Sequence, residues 1–175
     1  MGLVIHGDVT RFGIQWELET DPAGHYLLGK MCFWVANNRV GNYELGTALS
    51  DVLMSLTYLV GDCGNRRGAR FCRLSSEDAF TLLHRGLFDS DPSLSDMVED
   101  ESWGRFSVSL PVDVFDDWRL YLLDCESCSR LLVGHRSPKS DEFVFLMEES
   151  LAVGVFDRTI IEFQKELKAT WAKEV

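Results

Sequence analysis

The sequence predicts an α+β fold: an antiparallel or mixed β-sheet with helices packed on one side, in a single domain over residues 1–175. Three observations predict it. Residues 11–19 alternate apolar and polar side chains, and residues 45–60 switch to apolar spacings of three and four. A second block of strand-like runs between 105 and 147 then precedes one last helical stripe. Strands that follow one another through short turns, with helices in separate blocks, favour local antiparallel pairing over βαβ repetition. A chain of 175 residues, 46% of them hydrophobic and including 11 Phe and five Trp, suits one domain with a substantial core.

In Arg11–Glu19, Phe12, Ile14, Trp16 and Leu18 share one face while Arg11, Gln15, Glu17 and Glu19 share the other. Period two over nine residues is a half-buried strand. Asp21-Pro22-Ala23-Gly24 reads as a turn. Tyr26–Ala36 is apolar on both faces, Asn37-Asn38 is a hairpin signal, and Arg39–Tyr43 is the short returning strand, giving a three-stranded meander. His6-Gly7-Asp8 reads as part of an N-terminal loop. A helix over Glu44–Val60 follows, with Leu45, Ala48, Leu49, Val52, Leu53, Leu56, Leu59 and Val60 on its stripe and Gly61 as a left-handed stop.

Gly61–Arg70 is a glycine- and arginine-rich loop. Ser75-Ser76-Glu77-Asp78 resembles a capping box ahead of a helix with Ala79, Phe80, Leu83 and Leu87 on one face. The acidic stretch Asp89–Trp103 reads as a long loop or a short irregular helix. Strands are expected at Arg105–Leu110, at Trp118–Leu123 as a central strand, at Arg130–Gly134 and at Phe143–Met147. Turns at Glu126-Ser127 and Ser137–Ser140 join them. The closing helix starts near Val155 and carries Phe156, Ile160, Phe163, Leu167 and Trp171.

The formal charge is −11, from 28 acidic against 17 basic residues. Nucleic acid and anionic membrane surfaces are poor partners for such a chain, because both demand clustered Lys and Arg. A basic protein is a favourable one, since opposite potentials speed encounter and reject wrong partners. The opening residues carry one apolar triplet, Leu3-Val4-Ile5, and no secretory signal is read there. No apolar run approaches the roughly 20 residues that cross a bilayer. The expectation is a cytoplasmic protein whose five cysteines, Cys32, Cys63, Cys72, Cys125 and Cys128, are free thiols.

No catalytic constellation is legible. Cys125-Glu-Ser-Cys128 has zinc-like spacing, but no second CxxC or His pair completes four ligands. A redox CxxC opens a helix, whereas a strand follows this one, so the motif reads as a hairpin with two half-buried cysteines. His6, His25, His84 and His135 are not spaced for a shared metal. The Gly61–Gly68 segment follows a helix and lacks the Lys-Ser or Lys-Thr of a phosphate loop. No metal, cofactor or enzymatic role is therefore expected.

Carboxylates recur at Glu99-Asp100-Glu101 and at Asp113 with Asp116-Asp117. Beside them stand Trp103, expected as an exposed anchor, and Trp118, expected in the core. Desolvated aromatic anchors ringed by steering charges are the makings of an interface. The candidate partner-binding residues are therefore Glu99, Asp100, Glu101, Trp103, Asp113, Asp116 and Asp117.

Ile5-His6-Gly7-Asp8 followed by Arg11-Phe12-Gly13-Ile14-Gln15-Trp16-Glu17 resembles the start of a group of bacterial immunity proteins of polymorphic toxin and contact-dependent growth inhibition systems. Phe33-Trp34-Val35, the Gly41-Asn42 turn, the Leu-rich helix from Glu44 and Gly154-Val155-Phe156-Asp157 extend the likeness. Cys125-x-x-Cys128 is not part of that pattern. The resemblance implies an antitoxin that binds and neutralises a cognate toxin domain and has no catalytic residues. Many such toxins are nucleases with basic clefts, which an acidic inhibitor suits. The alternatives are a general protein-binding adaptor and a zinc or thiol protein built on Cys125 and Cys128.

Overall fold

The alternation at the start of the chain forms a strand as expected, but with a neighbour on each side. The computed structural model describes residues 2–19, 27–89 and 91–174, in two compact units. The first unit comprises residues 1–63, 110–116 and 154–175; the second comprises 64–109 and 117–153. The expected turn at Asp21–Gly24 lies outside the described residues.

In the first unit, β1 (Val4–Asp8), β2 (Phe12–Leu18), β3 (Leu28–Val35) and β4 (Asn38–Val40) form an antiparallel meander, and β5 (Thr47–Ala48) adds to β3. The stretch read as an N-terminal loop is thus a strand, with Val4 opposite Trp16 and Asp8 opposite Phe12. Its polar residues carry no strand pattern; the pairing comes from the backbone. The β3–β4 hairpin turns on Ala36 and Asn37, whose φ values are 49° and 63°, one residue earlier than the Asn37-Asn38 signal. Two consecutive left-handed residues give the hairpin the twist of its strands.

Helix α1 (Leu49–Gly61) begins five residues later than the periodicity suggests. Tyr43–Leu45 is a 3-10 turn, and Gly46 at φ +70° takes the chain out of the helical region. Leu45 is consequently exposed, while Leu49, Val52 and Leu56 are fully buried. Gly61 is the last helical residue and not a left-handed stop; the left-handed glycine is Gly64, at φ +76°. Helix α5 (Val155–Glu174) buries Phe156, Ile160, Phe163 and Leu167 against the sheet. Phe156 stacks on Phe12 at 4.5 Å, and Phe163 lies 5.9 Å from Trp16. α1 covers the same sheet face, where a Cβ on Gly29 would lie 2.6 Å from Leu49 Cδ1.

The second unit carries a three-stranded antiparallel sheet in the order β6 (Trp118–Asp124), β7 (Ser129–Arg136), β8 (Phe143–Leu151). β6 is therefore an edge strand and not the central one. It reads as apolar on both faces because Leu120 to Leu123 are all buried, and the Ser107–Ser109 segment covers its edge. Val108 N–H donates to Leu120 O at 2.9 Å, while Leu120 N–H donates to Ser109 Oγ at 2.8 Å. The side-chain oxygen takes the place of a ladder carbonyl, so 105–110 forms only a single bridge, Ser107 to Tyr121, and not the expected strand.

Helices α2 (Ala69–Cys72), α3 (Ser76–Phe88) and α4 (Ser95–Glu101) belong to this unit. α3 is capped as the sequence suggests, with Ser75 Oγ accepting from Asp78 N–H at 3.2 Å. It packs on the sheet through Phe80 and Leu83, in a cluster with Phe71, Trp103, Phe106, Tyr121, Leu123 and Leu132. A Cβ on Gly134 would fall 2.0 Å from Phe80 Cζ, so only glycine admits that ring. The register slips between Val133 and Gly134 at the same place, and such bulges re-aim a strand locally.

Candidate functional site

Trp103 is not the exposed anchor that its acidic neighbours suggest. It is fully buried. Ser102, at φ 51°, turns the chain sharply after α4 and sends the indole inward. There it meets Phe71 edge-on at 4.9 Å, and its ring leaves no room for a Cβ on Gly86, which would lie 2.6 Å from Cζ3. Trp118, expected in the core, is only half-buried and stands edge-on to His135 at 4.5 Å.

The acidic candidates fall in two places along the chain. Glu99, Asp100 and Glu101 share the short α4, with Glu99 exposed. Asp113, Asp116 and Asp117 are exposed around a 3-10 turn at Asp113–Phe115. Asp113 and Asp116 belong to the first unit and Asp117 to the second. The second unit also holds a cleft of about 600 Å³ that the sequence did not disclose, and Asp117 pairs with Arg136 of its lining.

That cleft is built from the end of α3, the β6 and β7 strands and the 137–142 turn. Arg136 Nε donates to Asp117 Oδ1 at 3.0 Å, and its Nη1 donates to Asp141 Oδ1 at 3.1 Å. The Asp141 hydrogen bond foremost, and the Asp117 one with it, hold the guanidinium above its usual pKa. Both Arg136 and Arg119 lie over the Phe143 ring, at 4.6 and 4.0 Å, and Arg119 also lies 5.2 Å from the ring of half-exposed Phe88. Each guanidinium plane stacked on a ring forms a cation–π contact.

His84 forms the inner wall. Its ring is stacked 5.3 Å from Phe88, its Nδ1 lies 3.1 Å from Tyr121 Oη, and its Nε2 is 3.7 Å from Asp89 Oδ1. Burial pushes the imidazolium below its usual pKa and Arg119 adds to this; the Asp89 carboxylate opposes it. The folded chain therefore binds fewer protons at this site than the unfolded one. Stability is full above the ordinary pKa of about 6.5 and is lost as pH falls from there toward the lowered folded value. Urea midpoints at pH 7.5 and 5.5 should differ less in H84Q than in the unsubstituted chain; an equal drop would remove His84 from this role.

Chemically the cleft offers carboxylates beside aromatic rings and arginines, the last two being residue types enriched at protein interfaces. Among the described residues, no group of three or more His, Cys, Asp and Glu comes together as a metal site, and no helix is long and apolar enough to cross a membrane. Cys125, expected free beside Cys128, is bonded to Cys72 across 53 residues of sequence. Arg119, Arg136 and Phe143 escaped the sequence reading because no local period links them; only the register of β6, β7 and β8 does.

The fold is an α+β scaffold of antiparallel sheets and helices. Residues 4–166 match the profile of Immunity protein 42, and the chain belongs to that family of immunity proteins. CdiI from Burkholderia dolosa AUO158 is similar in structure, with a TM-score of 0.69 over 93% of this chain and 99% of that one. At 20% sequence identity, that likeness shows the fold. No curated protein matches the sequence. The resemblance to immunity proteins and the α+β fold of antiparallel sheets are borne out.

Proposed function

We propose that this chain neutralises a cognate toxin domain by binding it directly, as a stoichiometric cytoplasmic inhibitor with no turnover of its own, residues 1–175 acting as one immunity protein. The observation that carries the reading is family membership over residues 4–166. The charge supplies the mode. The first unit holds 13 acids and 7 bases, net −6, and the second holds 15 and 10, net −5, which together give −11. An acidic surplus in both units favours a basic partner and disfavours nucleic acid and anionic membranes. A nuclease domain, whose cleft is basic to hold phosphates, is the toxin class this potential fits best.

The carboxylates of Glu99, Asp100, Glu101, Asp113, Asp116 and Asp117 steer the encounter in this reading, and the Phe88–Phe143–Arg119 cleft supplies the anchors. Co-expression with the neighbouring toxin domain should protect cells and give a complex on a sizing column. Unprotected cells and separate elution would refute the reading. A complex that forms equally fast at low and high salt would leave the inhibition standing and remove its electrostatic part.

A further inference from the structure

The cysteines outside the expected immunity pattern lie together in the second unit. Cys72, at the end of α2, is bonded to Cys125, just past β6, with Cα atoms 5.8 Å apart. Cys128 is free and half-buried. Cys125 N–H donates to Cys128 O at 2.9 Å, and Asp124 is paired with Ser129 in the hairpin behind them. Ser129 Oγ donates to Asp124 Oδ1 at 2.6 Å and stiffens that end. Residues paired across an antiparallel hairpin stand about 5.5 Å apart at Cα, inside the ~4.4–6.8 Å range that a disulfide spans. Cys125 is thus bonded to Cys72 and hydrogen-bonded through its backbone to Cys128.

We propose that Cys128 and the Cys72–Cys125 bridge form a thiol–disulfide exchange site. Cys128 gives its proton to solvent, and its thiolate attacks Sγ of Cys125. The Cys125–Cys128 bond forms as the Cys72–Cys125 bond breaks. The electron pair leaves on Cys72, which takes a proton from water. One disulfide is consumed and one is made, so no external oxidant or reductant enters.

Two features favour the step. A groove of about 740 Å³ is lined by both bridged cysteines, each of them half-buried. Arg130 Nη1 donates to Phe71 O at 3.2 Å and Leu74 O at 3.1 Å, on either side of Cys72. That clamp keeps α2 seated when the covalent tether moves. In reducing compartments the disulfides that do form are typically transient, and a bridge with a neighbouring thiol has a built-in route to exchange.

The test uses the isolated full chain and no toxin, so its outcome is independent of the inhibitory reading. Protein purified without reductant is incubated with iodoacetamide at pH 6 and pH 8.5, and labelled peptides are mapped by mass spectrometry. Cys72 and Cys128 should both acquire label at pH 8.5, on separate molecules each keeping one disulfide, and far less at pH 6. In C128S, Cys72 labelling should fall at least five-fold while the Cys72–Cys125 bridge persists. Equal Cys72 labelling in the two proteins, no Cys72 labelling in the unsubstituted chain, or all three cysteines labelled with no bridge would each overturn the proposal.

Discussion

Replacing Trp103 with Ala should destabilise the chain by about 3–5 kcal/mol, the usual cost of emptying a buried aromatic site. The indole is fully buried between Phe71, Gly86 and the α4 end, with the Arg70 guanidinium 5.8 Å from its ring. Gly86 is the reason the cavity would persist: its α3 backbone already touches the ring and has no side chain to collapse into the space. The indole N–H finds no acceptor among the described residues. W103F therefore sacrifices volume but no hydrogen bond, and should cost much less than W103A. Urea unfolding of the two variants checks this. A W103A midpoint close to that of the unsubstituted chain would mean that Trp103 is not a core residue.

If the proposed function holds, Lys substitution of the acidic candidates should slow toxin association about ten-fold or more at low salt and flatten its salt dependence, because long-range attraction acts mainly on the encounter rate. The α4 set, Glu99, Asp100 and Glu101, is best reversed separately from Asp113 and Asp116, since the two lie in different units. Asp117 needs its own variant because it also holds Arg136; there D117N removes charge while keeping a hydrogen-bond acceptor. Stopped-flow association at two ionic strengths reads the effect. Rates unchanged in every set would reject these carboxylates as the steering surface.

Where burial alternates locally, the sequence reading and the structure agree. Phe12, Ile14 and Trp16 face inward along β2 because period two places them there, and the Phe156–Leu167 stripe seats α5 by the same logic at period 3.6. The α3 cap was legible because Ser75 and Asp78 satisfy each other within four residues. β1 was not, since His6, Gly7 and Asp8 join the sheet through backbone bonds that side-chain identity does not encode. Trp103 was misplaced because neighbouring acids suggest exposure, while a single left-handed residue, Ser102, reverses the direction of the chain.

By itself the sequence determined the α+β class, the inward faces of β2, α3 and α5, the net negative charge and the resemblance to immunity proteins, all properties carried by short-range spacing or by composition. Tertiary structure alone decided that Cys125 bonds Cys72, that Arg119, Arg136 and Phe143 share a cleft and Arg136 pairs with Asp117, and that β6 sits at an edge. Asp117–Arg136, Arg119–Phe143 and Cys72–Cys125 are contacts between residues 19 to 53 positions apart. Strand register and chain reversal create them, and no local pattern of side chains records either.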